Sequence, residues 1–321
     1  MLFGNIIAIQ KISKSRDDMF FILKGPKGLG KSIVGNSLAK YTLCLTKRVD
    51  CQCESCRKVR SGTHPDLILL SKEKDSNSIK VDDIRRIFTE VHTRPLVSNF
   101  KVVVIDDANY LTKESQNKLL KQLEEPPEYM KFIFITHNDL LPTVESRGKI
   151  FKFFALPEEE MDSFLTQLPL HNQIDKEILT ATTSGCPGVA YRLFKGTFLN
   201  TFKEVIDLYT RPSTNDSKER ILQIAGLLKE KDSNCILDVL GDDIEFFLYG
   251  IRTFWLDSLK LLCQSDRIIF NSKKAVLINM SLDISKVKDI LSLIDKSIQD
   301  LRAGRLAKEL LIQILIKEVG Q

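Results

Sequence analysis

The sequence has little that would carry it to a membrane or out of the cell. No run approaches the ~18 apolar residues that a spanning helix needs. Residues 1–7 lack a basic n-region and a small-residue cleavage site, so no secretion signal is expected and a cytoplasmic location is. Charge of neither sign dominates: Lys plus Arg is 47, Asp plus Glu is 42, and the net charge is +5. That mild excess permits contact with nucleic acid, but it lacks the concentrated basic stripe of a dedicated binder. There is no repeat and no low-complexity tract. The four histidines, His64, His92, His137 and His171, show neither metal spacing nor a Ser or Cys partner pattern, and they read as structural or surface residues. The single tryptophan, Trp255, reads as a packing residue in C-terminal helices.

What is present is ordinary in bulk. Apolar residues make up 43% and charged residues 28%, which excludes disorder and fibres. The 321 residues allow two domains, or three small ones. Cysteine is the exception to this evenness. Four of seven lie at Cys44, Cys51, Cys53 and Cys56, with Cys186, Cys235 and Cys263 scattered. In a reducing compartment such a cluster suggests metal before disulfides. Four thiolates satisfy tetrahedral Zn²⁺ in a closed structural site with no open catalytic position. The alternative is that one or more of them are merely buried.

The first half alternates strand-like and helix-like runs. Phe20–Leu23, Leu67–Leu70, Val102–Ile105 and Phe132–Ile135 read as buried strands, the third as a central parallel one. Ile33–Leu43, Val81–Val91 and Ser115–Glu124 carry helical spacing, and Pro126 and Pro127 stop the last. This order predicts an α/β domain with a parallel sheet. After Pro157 the strand signal disappears. Met161–Leu168 and Ile174–Ala181 read as helices, Ser184–Gly188 as a loop, and Thr210–Ser217 as a polar linker. Helices are expected from there on, the last near Leu301–Val319.

Gly25-Pro-Lys-Gly28-Leu-Gly30-Lys31-Ser32 fits G-x-x-x-x-G-K-[S/T]. Its glycines let backbone N–H groups turn toward phosphate oxygens. Lys31 would reach the terminal phosphates of ATP or ADP, and Ser32 would ligate Mg²⁺. A strand precedes the motif and a helix follows, so the helix N-terminus points at the same place. An ordinary Gly-rich turn is the competing reading. Asp106 and Asp107 end the strand Val102–Ile105. At that position one acid helps hold Mg²⁺ and the next positions the attacking water. Alone, the pair would be an acidic strand cap.

Taken together these segments resemble the clamp-loader group of AAA+ ATPases, and most closely the delta-prime subunits of bacterial DNA polymerase III. The resemblance rests on Gly25–Ser32, the cysteine cluster followed by Ser61–Asp66, Val102–Asp107, the run Ser115–Pro127, Leu140–Arg147 and Ser184–Ala190. It covers roughly residues 20–190. Three departures stand out. Gly148 replaces the Cys of a Ser-Arg-Cys motif, Asp107 replaces Glu, and Gly188 stands where motor subunits carry a sensor-2 Arg.

The resemblance implies an AAA+ nucleotide-binding domain over 1–156 with a zinc module at about 44–56. A helical lid over 157–209 and an all-α collar over 210–321 follow. It places Thr136 near the sensor-1 position. It makes Arg147 an arginine finger acting in trans on a neighbour's ATP. The implied partners are the other subunits of a five-membered ring, the sliding clamp, and primed DNA touched through its phosphate backbone. Gly188 favours an assembly subunit with weak or absent turnover over an active gamma/tau-like motor. The cysteine cluster and the Leu-Glu-Glu-Pro-Pro run argue against a stand-alone AAA+ repair factor.

Overall fold

A computed structural model of the chain describes residues 4–15, 17–48, 51–73, 76, 78–210, 243–265, 267–274, 277 and 284–302. The chain divides into two compact units, Met1–Leu156 and Pro157–Gln321. Of the linker expected at Thr210–Ser217, residues 211–217 lie outside the described residues, as do residues 303–319 of the expected last helix and Cys235. Among the described residues no helix is long and apolar enough to cross a membrane.

The first unit is built on β1 (Phe20–Lys24), β2 (Leu67–Leu70), β3 (Lys101–Ile105), β4 (Met130–Thr136) and β5 (Lys149–Lys152). They form one sheet in the order β2-β3-β4-β1-β5, and every pairing is parallel. Successive strand side chains point to opposite faces, so the unbroken apolar runs of β1, β3 and β4 require cover on both. One face carries Phe20, Ile22, Val103, Ile105, Phe132 and Phe134. Against it pack α4 (Val81–Val91) through Ile84 and Ile87, and α5 (Lys113–Glu124) through Leu119 and Leu123. Phe20 and Phe134 meet edge to face with centroids 4.7 Å apart. The opposite face receives α2 (Lys31–Leu43). A Cβ on its Gly35 would come within 2.8 Å of Ile135 Cδ1, so a larger residue there would have to push the Ile135 side chain aside.

Several boundaries differ from the sequence reading, for identifiable reasons. Leu67–Leu70 is an edge strand of the sheet and not a buried one, and Leu69 is 56% exposed. The strand β5 has one fully buried residue, Phe151, too few to give a period. Two short helices, α1 (Ile6–Lys14) and α3 (Glu54–Arg60), are absent from the sequence reading; they have only nine and seven residues, and the burial of α1 rests on Ala8 and Ile12 alone. The expected loop through Gly188 ends two residues early. A helix runs over Pro187–Lys195, and Pro187 supplies the fixed φ of a first helical position.

Among its described residues the second unit holds helices joined by turns, and no strand. Its core is aromatic. Phe202 meets Phe247 with centroids 5.3 Å apart, Phe254 meets Phe270 at 5.7 Å, and Trp255 is buried beside them. Gly250 lets the helix Ile244–Leu262 approach Phe202, whose ring a Cβ would meet at 2.4 Å. Thr253 Oγ1 donates to Ala181 O at 3.3 Å, which ties that helix to the helix Gln173–Thr183.

Candidate functional site

The glycine-rich turn joins β1 to α2. Gly25, Gly28 and Gly30 have φ of 152°, 83° and 78°, in the half of conformational space that side chains avoid. At Gly25 the need is double, because a Cβ would lie 2.2 Å from Phe153 O. Gly30 is the N-cap of α2, and no side chain caps that terminus. The first-turn N–H groups and the positive end of the helix dipole therefore converge on the turn. Lys31 is 3% exposed, and its ammonium donates to Pro26 O at 2.6 Å across the mouth of the loop. This donor set suits the anionic oxygens of a nucleotide phosphate.

Asp106 and Asp107 leave β3 and enter a turn of 3₁₀ helix at Ala108–Tyr110. Asp107 adopts φ 56°, a left-handed conformation that is strained for a residue with a side chain. Its backbone N–H donates to Asp106 Oδ1 at 3.0 Å. His137 follows Thr136 at the end of β4, and its contacts are what sequence reasoning missed. Its Nε2 lies 2.8 Å from Asp107 Oδ1 and its Nδ1 3.3 Å from Lys31 Nζ. The His137 hydrogen bond holds the Asp107 carboxyl below its usual range, against the opposing effect of burial. No sequence spacing signals this, since Lys31, Asp107 and His137 come from three elements. Thr136 is buried, and its hydroxyl donates to Asn138 O at 2.8 Å.

Arg147 lies beyond β4, after a short helix α6 (Pro142–Glu145). Its guanidinium bonds Glu124 and Thr143 O. Glu145 is engaged elsewhere, by Lys24 at 2.7 Å and by Leu140 N–H at 3.0 Å. Burial lowers the Lys24 pKa, but hydrogen bonds and charge from Asp139 and Glu145 outweigh it and raise it overall. The run Ser115–Pro127 has a visible purpose here. The Gln116 side chain accepts from Leu141 N–H at 2.8 Å and donates to Leu111 O at 3.2 Å, which pins the loop leading to Arg147. Gly148 is sterically required, because a Cβ would come within 2.6 Å of Ile22 Cδ1 and 2.8 Å of Phe20 Cδ1. Bulk from β1 fills the place where a cysteine side chain would sit.

The four clustered cysteines converge. The Sγ atoms of Cys44, Cys51, Cys53 and Cys56 lie within 4.8 Å of one another. A tetrahedron with metal–sulfur bonds of about 2.3 Å has sulfurs about 3.8 Å apart, so the cluster fits one Zn²⁺ after small adjustments. The surroundings favour thiolates. Burial opposes ionisation of Cys44, but hydrogen bonds from Thr46 and the backbone of Arg48 outweigh it, and its pKa falls to about 6. Cys53 is also lowered, burial being outweighed by backbone N–H groups of Cys56 and Leu45. Cys56 is pushed up to about 12 by burial and by its two thiol neighbours. N–H groups aimed at sulfur are the outer-shell support of a metal–thiolate site.

A buried polar hub seats this module on the sheet. Asp66 accepts backbone N–H bonds from Leu96, Val97 and Ser98 at 2.7, 2.9 and 2.8 Å. His64 Nδ1 accepts from Asp66 N–H at 3.0 Å, so its proton sits on Nε2, near the hydroxyls of Ser55 and Ser98. Both hydroxyls donate to Leu43 O at 2.7 Å, next to Cys44. Burial lowers the His64 pKa and keeps it neutral.

Residues 6–157 match a family model described as DNA polymerase III, delta subunit. The chain is 31% identical over 180 residues to the DNA polymerase III subunit delta' of Escherichia coli, covering 54% of each chain. It is 27% identical over 274 residues to the delta' subunit of Buchnera aphidicola, covering 83% of this chain and 80% of that one. Gamma and tau subunits match too, over 46% of the length of a Buchnera gamma subunit and 24% of the Escherichia coli tau subunit. The chain thus spans about half or less of the length of the first relatives it matches. Among solved structures, a gamma subunit-related protein of Thermotoga maritima superposes with a TM-score of 0.54 at 16% identity, covering 97% of this chain and 98% of that one, a likeness of fold.

Proposed function

We infer that this chain, a member of the clamp-loader family close to the delta-prime subunits of DNA polymerase III, is an assembly subunit of a cytoplasmic loader that places a sliding clamp on primed DNA. The observation that carries the reading is one of extent. Alignments run over 80%, 67% and 54% of three delta' subunits, and over 23–46% of five gamma and tau subunits. Its partners are the other loader subunits, in a five-membered ring, with the clamp and the phosphate backbone of primed DNA. Residues 157–209 serve as lid and 210–321 as collar.

In this reading Gly25, Gly28, Gly30, Lys31 and Ser32 bind the phosphates of ATP or ADP with Mg²⁺. Asp106 and Asp107 face the metal and water, and Thr136 lies near the γ-phosphate. Bound nucleotide supplies the free energy of ring opening, and this chain's residues hold and orient it. Turnover by the chain itself is weak, because Gly188 offers no cation to the γ-phosphate. Arg147 must leave Glu124 to reach a neighbouring site, so the ring interface competes with an exposed ion pair worth at most about 1 kcal/mol. Cys44, Cys51, Cys53 and Cys56 bind one structural Zn²⁺.

The test compares ATP turnover by the purified chain with turnover in a reconstituted loader. Weak activity alone, together with incorporation into the ring, is expected. Turnover near 1 s⁻¹ by the isolated chain, within the usual enzyme range, would reassign it as a motor.

A further inference from the structure

His137 touches both halves of the nucleotide site. Lysine nitrogens only donate, so Nδ1 accepts from Lys31 across 3.3 Å, and the imidazole proton sits on Nε2, donated to Asp107 Oδ1 at 2.8 Å. The ring is held in place from behind, where its backbone N–H donates to Asn109 Oδ1 at 3.3 Å. Asp107 is held in a strained left-handed turn at the other end of the chain of bonds. The result is a continuous line of cation, neutral imidazole and carboxylate, in which each bond polarises the next.

We propose that His137 is a clasp between the P-loop lysine and Asp107, so that a phosphate entering the P-loop must take Lys31 from the imidazole and, by doing so, loosens Asp107. This rests on the nucleotide reading of the P-loop and adds its regulation. The phosphate oxygens compete with Nδ1, and with Pro26 O at 2.6 Å, for the protons of one ammonium. When the oxygens win, Nδ1 loses its cation, the ring is less polarised, and its bond to Asp107 weakens. His137 is a positioning residue in this scheme. It acts through Lys31 and Asp107 and leaves the phosphates to the loop.

The experiment titrates the full chain with MgATP by calorimetry, for wild type, His137→Ala, His137→Gln and Lys31→Ala. His137→Ala is expected to bind about tenfold tighter, the equivalent of one competing hydrogen bond to a charged group. His137→Gln should return to near the wild-type affinity, because its amide oxygen can accept from Lys31 while its NH₂ donates to Asp107. The ¹⁵N imidazole resonances of wild type should show a protonated Nε2 and an unprotonated Nδ1, with Nδ1 shifting on saturation with MgATP. The resonance needs no substitution to fold. If His137→Ala binds no tighter while Lys31→Ala abolishes binding, the clasp is wrong and the P-loop reading stands. An Nδ1 resonance unmoved by saturating MgATP overturns it equally. If neither wild type nor His137→Ala binds MgATP at millimolar concentration, the P-loop reading itself fails, and the clasp with it.

Discussion

Asp66 is the sharpest place to test how the cysteine module is seated. Its carboxylate is fully buried and accepts three backbone N–H bonds, Leu96 on Oδ1 and both Val97 and Ser98 on Oδ2. In Asp66→Ala all three donors lose their acceptor. Leu96 is 79% exposed, so water can take its N–H, and the cost falls on Val97 and Ser98. At about 1–3 kcal/mol for each of these two donors left unpaired, the sum is about 2–6 kcal/mol. Asp66→Asn should cost much less, since one amide oxygen can occupy the Oδ2 position and keep the two inner bonds, losing only the charge of their acceptor. The chain has two units, so global unfolding need not be two-state, and amide hydrogen exchange is the suitable assay. Protection of the Val97 and Ser98 amides should fall by at least roughly 30-fold in Asp66→Ala, the equivalent of 2 kcal/mol, and by less in Asp66→Asn. Equal losses in the two variants, or unchanged protection in both, would refute the assignment of the inner bonds to Oδ2.

Metal analysis should find one Zn²⁺ per chain, lost in Cys56→Ser; a stoichiometry near zero with all four thiols freely alkylated excludes the site. Gly148→Ala should destabilise the first unit by about 1–3 kcal/mol through overpacking, and Ile22→Val, which removes the atom 2.6 Å from the new Cβ, should recover part of that loss in a double-mutant cycle. Arg147→Ala should leave folding, zinc and the chain's own nucleotide binding intact, yet cut hydrolysis at one site of the assembled ring by a factor of order 10³; a ring that hydrolyses ATP and loads clamps at the wild-type rate returns Arg147 to a surface ion pair. For His64, whose folded pKa is lowered by burial, the unfolded chain binds the extra proton. Its contribution is therefore complete above about pH 6.5 and declines as pH falls below that value, and the slope of stability between pH 6.5 and 5 should be shallower in His64→Gln than in wild type.

The sheet was legible because its inner strands are buried on both faces, and such strands must be apolar at every position. Phe20–Leu23, Val102–Ile105 and Phe132–Ile135 satisfy that, and no helix face would demand it. Legibility weakened where burial ended. The edge strands β2 and β5 contact the sheet on one side only: β2 is read with its right bounds but as buried, although Leu69 faces outward, and β5 is not read at all. Charged residues inside the sheet misled in the other direction. Lys101 opens β3 although it is 2% exposed, because Glu90 from α4 bonds its ammonium at 2.7 Å. Lysine at a strand end reads as a boundary unless its partner, 11 positions away, is known.

The candidate site divides along the same line. The P-loop and the cysteine cluster are local patterns, since their chemistry needs several residues within one turn or one short span, and sequence spacing carries that. His137 carried no such signal. Its partners sit 106 and 30 residues away, and only the order β3-β4-β1 brings the ends of those strands together. A histidine at the carboxyl end of β4 is read as a neighbour of Thr136 in one dimension and as a bridge between the P-loop lysine and an acid in three. The departures along the sequence change meaning in the same way. Gly148 reads as a lost side chain, yet Ile22 and Phe20 from β1 fill its space, so the loop bearing Arg147 keeps its packing without the cysteine. Asp107 reads as a glutamate shortened by one methylene, yet its length suits the His137 bond at 2.8 Å. Restoring the glutamate would push the carboxylate past the imidazole and still leave no cation at Gly188 for the γ-phosphate, so Asp107→Glu alone should not make an efficient hydrolase of this chain; steady-state turnover of that variant near 1 s⁻¹ would refute this.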